Sequence, residues 1–286
     1  MLMNNERHIF AEGVAVITGA GSGIGAGIAR RVGALGMHVV VTDIVQERAD
    51  SVASEIHTKG GQAEALRLDV SDPEALDALA QYIFARHGAV RLLVNNAGIE
   101  TLGYIWEIPL ERWEATLNIN IHGVVHGVRA FVPYMLKCGE ESWIANVASI
   151  GAFGSMPTQT PYMMSKHAVQ SLSECLYLEL QMVGAPIHVS SVIPGMLKTN
   201  IFSADAGHNE PEGASRHRKT MYDLMMAHGM DLDEGCLRIV EQIAQCKFWV
   251  SSQPDMTADM VASRVAFLNG QLRPALTEQT RQLLGV

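Results

Sequence analysis

Thr18-Gly19-Ala20-Gly21-Ser22-Gly23-Ile24-Gly25 is the stretch whose reading decides the fold. It directly follows a β-branched run, Val14–Thr18, and opens a segment with helical spacing, Gly25–Leu35. Glycines at this junction let the backbone turn tightly and come close to a bulky anion without Cβ clashes. The start of the following helix offers unpaired N–H groups and the positive end of its dipole. A glycine-rich string alone is weak evidence, and a plain turn is the alternative. Set between a strand and a helix, it points to the pyrophosphate of a dinucleotide.

Outward from this junction the chain repeats the pattern. Short apolar runs at Val39–Asp43, Leu66–Asp69, Leu92–Asn95, Ile144–Val147 and His188–Ile193 read as strands buried on both faces. Between them Glu47–Lys59, Pro73–His87 and Ala168–Met182 have helical spacing. Ser71-Asp72-Pro73-Glu74 carries a cap, a first-turn proline and an early acid. Alternating strands and helices predict an α/β Rossmann fold, a doubly wound parallel sheet of seven strands with helices on both faces. No linker interrupts it, so the 286 residues read as a single domain. Residues 200–231, rich in Gly, His, Asp and Met and including Pro211-Glu212-Gly213, read as a substrate lid. A helix at Glu234–Cys246, a seventh strand at Lys247–Ser252 and a helix at Thr257–Leu268 follow, so residues 253–286 form a C-terminal extension.

Asp43 stands 18 residues after Gly25, where a carboxylate can meet the ribose hydroxyls of an adenosine. It would repel a 2′-phosphate, and Ile44 and Ser22 bring no positive charge. NAD is therefore expected over NADP. Three further segments stand downstream: Asn95-Asn96-Ala97-Gly98, Ser149 after the fifth strand, and Tyr162-Met163-Met164-Ser165-Lys166. On a helix Tyr162 and Lys166 project from one face. Taken singly, each has an ordinary alternative: a half-buried aromatic, a solvated charge, a loop cap.

Taken together and in this order, from about Gly13 to Thr199, the motifs resemble those of the short-chain dehydrogenase/reductase family. Ser149 precedes Tyr162 by 13 residues, as is common there. The resemblance implies a catalytic set of Asn120, Ser149, Tyr162 and Lys166, with Asn118 a nearby competitor for the asparagine. It implies cofactor contacts from Gly19, Gly21, Ser22, Gly23, Ile24 and Gly25, and from Asp43 and Ile44. Asp69 and Val70 should lie by the adenine, and Asn96, Ala97 and Gly98 by the ribose. Pro194, Gly195, Leu197 and Thr199 should lie by the nicotinamide. It further implies that Lys166 binds the nicotinamide ribose, that Asn120 holds a relay water, and that the chain forms a homo-oligomer, dimer or tetramer.

The chemistry can be argued from the residues. Oxidising an alcohol removes a hydride and a proton, so a base is needed beside the hydride acceptor. A free phenol titrates near 10, and Lys166 together with a positive nicotinamide would favour tyrosinate. Ser149 can hydrogen-bond the substrate oxygen as charge develops. Phe153, Met156, Met196, Ile201 and Phe202 are expected to wall an apolar pocket, so the substrate is expected to be a hydrophobic secondary alcohol or ketone, aromatic or steroid-like. The extended C-terminal region also resembles bacterial relatives that oxidise benzylic alcohols. A non-catalytic NAD-binding sensor, and an isomerase or epimerase on the same fold, are the other readings.

Composition bounds the partners. A formal charge of −9 argues against nucleic acid and anionic membranes. No apolar run is long enough to cross a membrane, and Met1 to Phe10 lacks the order of a signal peptide. A cytoplasmic location follows as the expectation. Cys138, Cys175, Cys236 and Cys246 have no C-x-x-C spacing and read as small core residues. His122 and His126 are four apart, but no third ligand is evident, so no metal is expected.

Overall fold

The computed structural model describes residues 3–211 and 213–284; Met1, Leu2, Glu212, Gly285 and Val286 lie outside the described residues. Seven parallel strands form one sheet in the order β3-β2-β1-β4-β5-β6-β7. They are β1 (Val14–Ile17), β2 (His38–Asp43), β3 (Gln62–Arg67), β4 (Leu92–Asn95), β5 (Ser142–Val147), β6 (Ile187–Ile193) and β7 (Trp249–Ser251). The helices are α1 (Met3–Phe10), α2 (Gly23–Ala34), α3 (Gln46–Thr58), α4 (Pro73–His87), α5 (Leu110–Leu117), α6 (Gly123–Cys138), α7 (Thr160–Met182), α8 (Ala214–His228), α9 (Leu232–Ala244), α10 (Pro254–Asn269) and α11 (Glu278–Leu284). Strand order reverses between β1 and β4, which opens a crevice at the carboxyl ends of the central strands.

Both faces of the sheet are covered, and successive side chains of one strand enter opposite layers. Ala15 and Ile17 join one cluster with Ile28 and Val32 of α2, Ile56 of α3 and Ile239 of α9. Val14 and Val16 join the other with Leu76 and Ile83 of α4, Phe131 of α6 and Leu176 of α7. Near-continuous apolar strands are what this arrangement requires. Each fully buried Ile, Leu or Phe contributes about 1.5–3 kcal/mol. Helices α2 and α9 pack so closely at Gly27 that an added Cβ would lie 2.4 Å from the Cys236 sulfur.

Several boundaries differ from the sequence reading. The third strand is Gln62–Arg67, not Leu66–Asp69. It is an edge strand that pairs with β2 alone, so it is half-buried and lacks a β-branched run. The seventh helix starts at Thr160, not Ala168, with Pro161 in its first turn. The Asp72 cap is borne out, since its carboxylate accepts the N–H groups of Glu74 and Ala75. Of the four cysteines only Cys236 is in the core; Cys138, Cys175 and Cys246 are exposed, which corrects the reading of all four as core residues.

Candidate active site

The glycine loop runs from the end of β1 into α2. Gly19 and Gly23 have φ of +61° and +53°, where a side chain would strain the backbone. A Cβ at Gly25 would sit 2.5 Å from the Gly19 carbonyl oxygen. Asn96 is spent on holding this loop: its Nδ2 donates to Thr18 O at 2.8 Å and Gly19 O at 3.0 Å. The Thr18 hydroxyl accepts the N–H groups of Asn96 and Ala97. Ser22 precedes α2 without a side-chain capping bond, so the first N–H groups of the helix have no cap from it. Thr199 lies over the loop, 3.7 Å from where a Gly23 Cβ would be. A loop this close-built, ending at a helix N-terminus, fits a pyrophosphate.

Asp43 ends β2 beside the loop. Its Oδ2 accepts Gly21 N and its Oδ1 accepts Val45 N, both at 3.0 Å. A carboxylate has about four acceptor positions, so capacity remains for ribose hydroxyls. Neutral in sequence, the surroundings of Asp43 carry two arginines in space. Arg48, on the first turn of α3, brings its Cβ against Gly21, and Arg67 donates to Ile44 O at 3.2 Å. Ile44 itself is 50% exposed. Asp69, beyond β3, accepts the N–H and hydroxyl of Ser71, and Val70 is buried beneath α6 against Gly123.

Four side chains named from the sequence come together at the carboxyl end of the sheet. Ser149 lies just past β5 and its Oγ accepts Gly151 N at 3.1 Å. Tyr162 and Lys166 share one face of α7, with the Lys166 ammonium 5.4 Å from the phenol ring centre. Lys166 Nζ donates to Val147 O at 2.9 Å and lies 3.6 Å from where a Gly98 Cβ would be. Asn120 sits on a π-helical turn, Asn118–His122, that joins α5 to α6. Its Oδ1 accepts Ile99 N at 2.8 Å, while its Nδ2 donates to Ile99 O at 2.9 Å and the Ser165 hydroxyl at 3.0 Å. Asn118, the competitor, instead pairs with His122 Nδ1.

The electrostatics run against the sequence expectation. Burial, and then the Glu100 carboxylate, push the Tyr162 phenol above its ordinary value, while hydrogen bonding from Ser149 pulls it down. Burial lowers the Lys166 ammonium to about 8, opposed by Glu100. Glu100 is the residue the sequence reading missed. It directly follows Asn-Asn-Ala-Gly-Ile, is 2% exposed, and neither of its carboxylate oxygens has a hydrogen-bond partner. Burial raises it well above the usual carboxylate range, against the pull of Arg218. Its burial thus favours the neutral acid over the carboxylate.

The chain after β6 folds over this region through a buried charge cluster. Arg218 of α8 donates to Glu100 O at 3.1 Å, Ile201 O at 3.0 Å and Glu210 Oε2 at 2.9 Å. Glu210 also accepts Leu102 N at 2.7 Å, and Arg112 donates to the Thr101 hydroxyl at 2.9 Å. Beside it, His217 Nε2 lies 3.4 Å from Gln159 Nε2, and Thr158 holds a φ of +68° that a β-branched residue adopts only under constraint.

Of the apolar wall residues, Met196, Ile201 and Phe202 are half-buried. Phe153 packs on the satellite core and on Trp249, with ring centres 5.6 Å apart. Gly195 lies against Gln253, its N–H donating to the Ser252 hydroxyl, and Leu197 is buried under α9 at Gly235. His126 Nδ1 bonds Val70 O. No helix among the described residues is long and apolar enough to cross a membrane.

The sequence model described as short chain dehydrogenase matches residues 13–209. The chain is 36% identical over 202 residues to "Probable oxidoreductase EphD" of Mycobacterium tuberculosis, covering 71% of this chain and 34% of that protein. It thus spans about a third of the length of those mycobacterial relatives. It is 35% identical over 205 residues to cyclohexanol dehydrogenase of Acinetobacter sp., covering 71% of this chain and 78% of that one. A crystal structure of a short chain dehydrogenase/reductase from Burkholderia phymatum in complex with NAD superposes with a TM-score of 0.87 at 31% identity, covering 93% of this chain and 98% of that one.

Proposed function

The chain belongs to the short chain dehydrogenase family, and from that premise we propose that it is an NAD-dependent oxidoreductase interconverting a hydrophobic secondary alcohol and its ketone. The observation that carries the reading is the convergence of Ser149, Tyr162, Lys166 and Asn120 from separate elements beside the glycine loop. When bound, NAD supplies the hydride acceptor and a positive ring. The loop from Gly19 to Gly25 would hold its pyrophosphate, and Asp43 its adenosine ribose.

Tyr162 moves the proton. At rest its raised pKa keeps the phenol protonated, the state required to reduce a ketone. For alcohol oxidation a positive charge beside it must shift that balance toward tyrosinate. Lys166, held on Val147 O, places an ammonium below the ring and can also bind a ribose hydroxyl. Ser149 donates to the substrate oxygen as negative charge develops there. Both ends of the Asn120 amide are already committed, so a relay water would bind its main-chain carbonyl on the π turn. Met196, Ile201 and Phe202 favour an apolar substrate body. We take residues 200–231 as the lid over this pocket, and the whole chain as one domain that assembles with copies of itself.

The test is Tyr162→Phe. Absorbance at 340 nm is followed with NAD and NADP against a panel of secondary alcohols. The variant should fold and bind NADH, read by fluorescence, while turnover falls at least about 100-fold. Near-normal turnover would defeat the assignment. A non-catalytic sensor would bind NADH in the parent protein and turn over no substrate.

A further inference from the structure

Far from the glycine loop, at the amino-terminal edge of the sheet, three side chains that no local motif connects face one another. His38 is the first residue of β2, Glu64 lies in β3, and His87 is the last residue of α4. His38 Nε2 is 3.5 Å and His87 Nε2 is 3.2 Å from the same oxygen, Glu64 Oε1. The three donor atoms all lie within 4.8 Å of one another. The imidazole centres are 4.6 Å apart.

We propose that His38, Glu64 and His87 form a divalent transition-metal site of the zinc class, with the fourth position open to water. Zinc bonds of 2.0–2.1 Å to nitrogen and oxygen place the corners of a tetrahedron about 3.4 Å apart. The two nitrogen–oxygen separations sit on either side of that value. Two imidazoles and one carboxylate suit zinc and its neighbours over magnesium or calcium, which prefer oxygen.

Three observations favour an ion over a simple histidine–glutamate hydrogen-bond cluster. His38 Nε2 is buried and its polar neighbour, Glu64 Oε1 at 3.5 Å, is too poorly placed for a good hydrogen bond, so its lone pair or proton is not well satisfied. The other carboxylate oxygen, Glu64 Oε2, is fixed by the Tyr82 hydroxyl at 2.9 Å, an outer bond of the kind that orients a metal ligand. His87 also ends α4, where the helix dipole favours positive charge. The ion would tie the end of α4 to the starts of β2 and β3. Along β2 it lies about 16 Å from Asp43, so its role is to clamp the fold, not to join the redox chemistry.

The experiment uses the full chain, stripped with a chelator and dialysed, and titrated calorimetrically with zinc chloride. One saturable site per chain is expected, and saturating zinc should raise the thermal midpoint. His87→Gln and Glu64→Gln should each weaken zinc binding at least about tenfold, the loss typical when a metal site is altered. His122→Gln, on the other histidine pair, should leave it unchanged. Cobalt(II) should give the visible bands of a four-coordinate site in the parent and lose them in His87→Gln. The circular dichroism of each variant checks that it folds. No saturable binding, or binding equally tight in His87→Gln and Glu64→Gln, overturns the proposal. So does loss of binding in His122→Gln alone.

Discussion

Replacing Arg218 by methionine tests what holds the segment after β6 onto the site. The Arg218 side chain is 3% exposed, and its donors serve Glu100 O, Ile201 O and both oxygens of Glu210. Methionine keeps an apolar stem of similar length and removes every donor. Glu210 then keeps Leu102 N at 2.7 Å and the more distant Arg112 at 3.7 Å, while two carbonyls lose a partner in the interior. Breaking one side of a buried pair costs about 3–5 kcal/mol, because the remaining charge has lost its water and its partner. At roughly 2–4 °C per kcal/mol for a chain near this size, the thermal midpoint should fall by roughly 6–20 °C if the segment unfolds with the core. If it opens alone, the same free energy appears as opening of residues 200–231. Limited proteolysis there should then speed up about 100- to 4,000-fold while the midpoint holds. Adding Glu210→Gln removes the stranded charge, so the double variant should be more stable than Arg218→Met alone by about 1–3 kcal/mol. A single variant with an unmoved midpoint and unchanged proteolysis would refute the view of this cluster as a latch.

Two further outcomes follow from the cofactor and proton sites. Asp43→Asn keeps one acceptor for Gly21 N but removes the charge that repels a 2′-phosphate. With Arg48 and Arg67 close by, the ratio of kcat/KM for NAD over NADP should fall at least about tenfold, and an unchanged ratio would remove Asp43 as the selector. Lys166→Met should abolish turnover yet stabilise the fold. The folded-state pKa of Lys166 is depressed to about 8 from 10.5, so between those values the folded chain binds fewer protons than the unfolded one. Stability from this group therefore rises as pH climbs from about 8 to 10.5, and its burden is complete below 8. Removing it should raise the midpoint at pH 7, by roughly 1–3 kcal/mol of stability, with the gain shrinking toward pH 10. A variant less stable than the parent at pH 7 would mean that the bond to Val147 outweighs the cost of burial.

The parts legible in the sequence are those written locally. The glycine loop, the Asp72 cap and the four-residue spacing of Tyr162 and Lys166 each fit within one turn or one junction. The strands were legible where both faces are buried, and misread at β3, where one edge leaves Gln62 to Arg67 without an apolar run. Pro161 marked the start of α7, but the glycines and prolines before it masked the signal. The π turn under Asn120 has no sequence code, because it is fixed by bonds to Ile99 and Ser165 that only the folded chain supplies. The two polar clusters were invisible for the same reason. Glu100, Arg112, Glu210 and Arg218 span more than a hundred residues, and His38, Glu64 and His87 sit on three elements. Singly, each reads as a surface charge.

The shifted groups at the site explain one another on the proposed reading. A low-dielectric pocket penalises tyrosinate and ammonium alike, so Tyr162 rises and Lys166 falls. At rest the phenol therefore keeps its proton. Glu100 adds to this while it is ionised, and its own burial pushes its carboxyl well above the usual range, toward the neutral form that opposes tyrosinate less. What remains is a phenol whose proton affinity depends on the charge placed next to it. Beside a positive ring it can give up its proton to the relay and act as base. Beside a neutral one it holds that proton and acts as acid. The same buried environment that makes tyrosinate costly in isolation thereby matches the protonation state to the direction of hydride transfer.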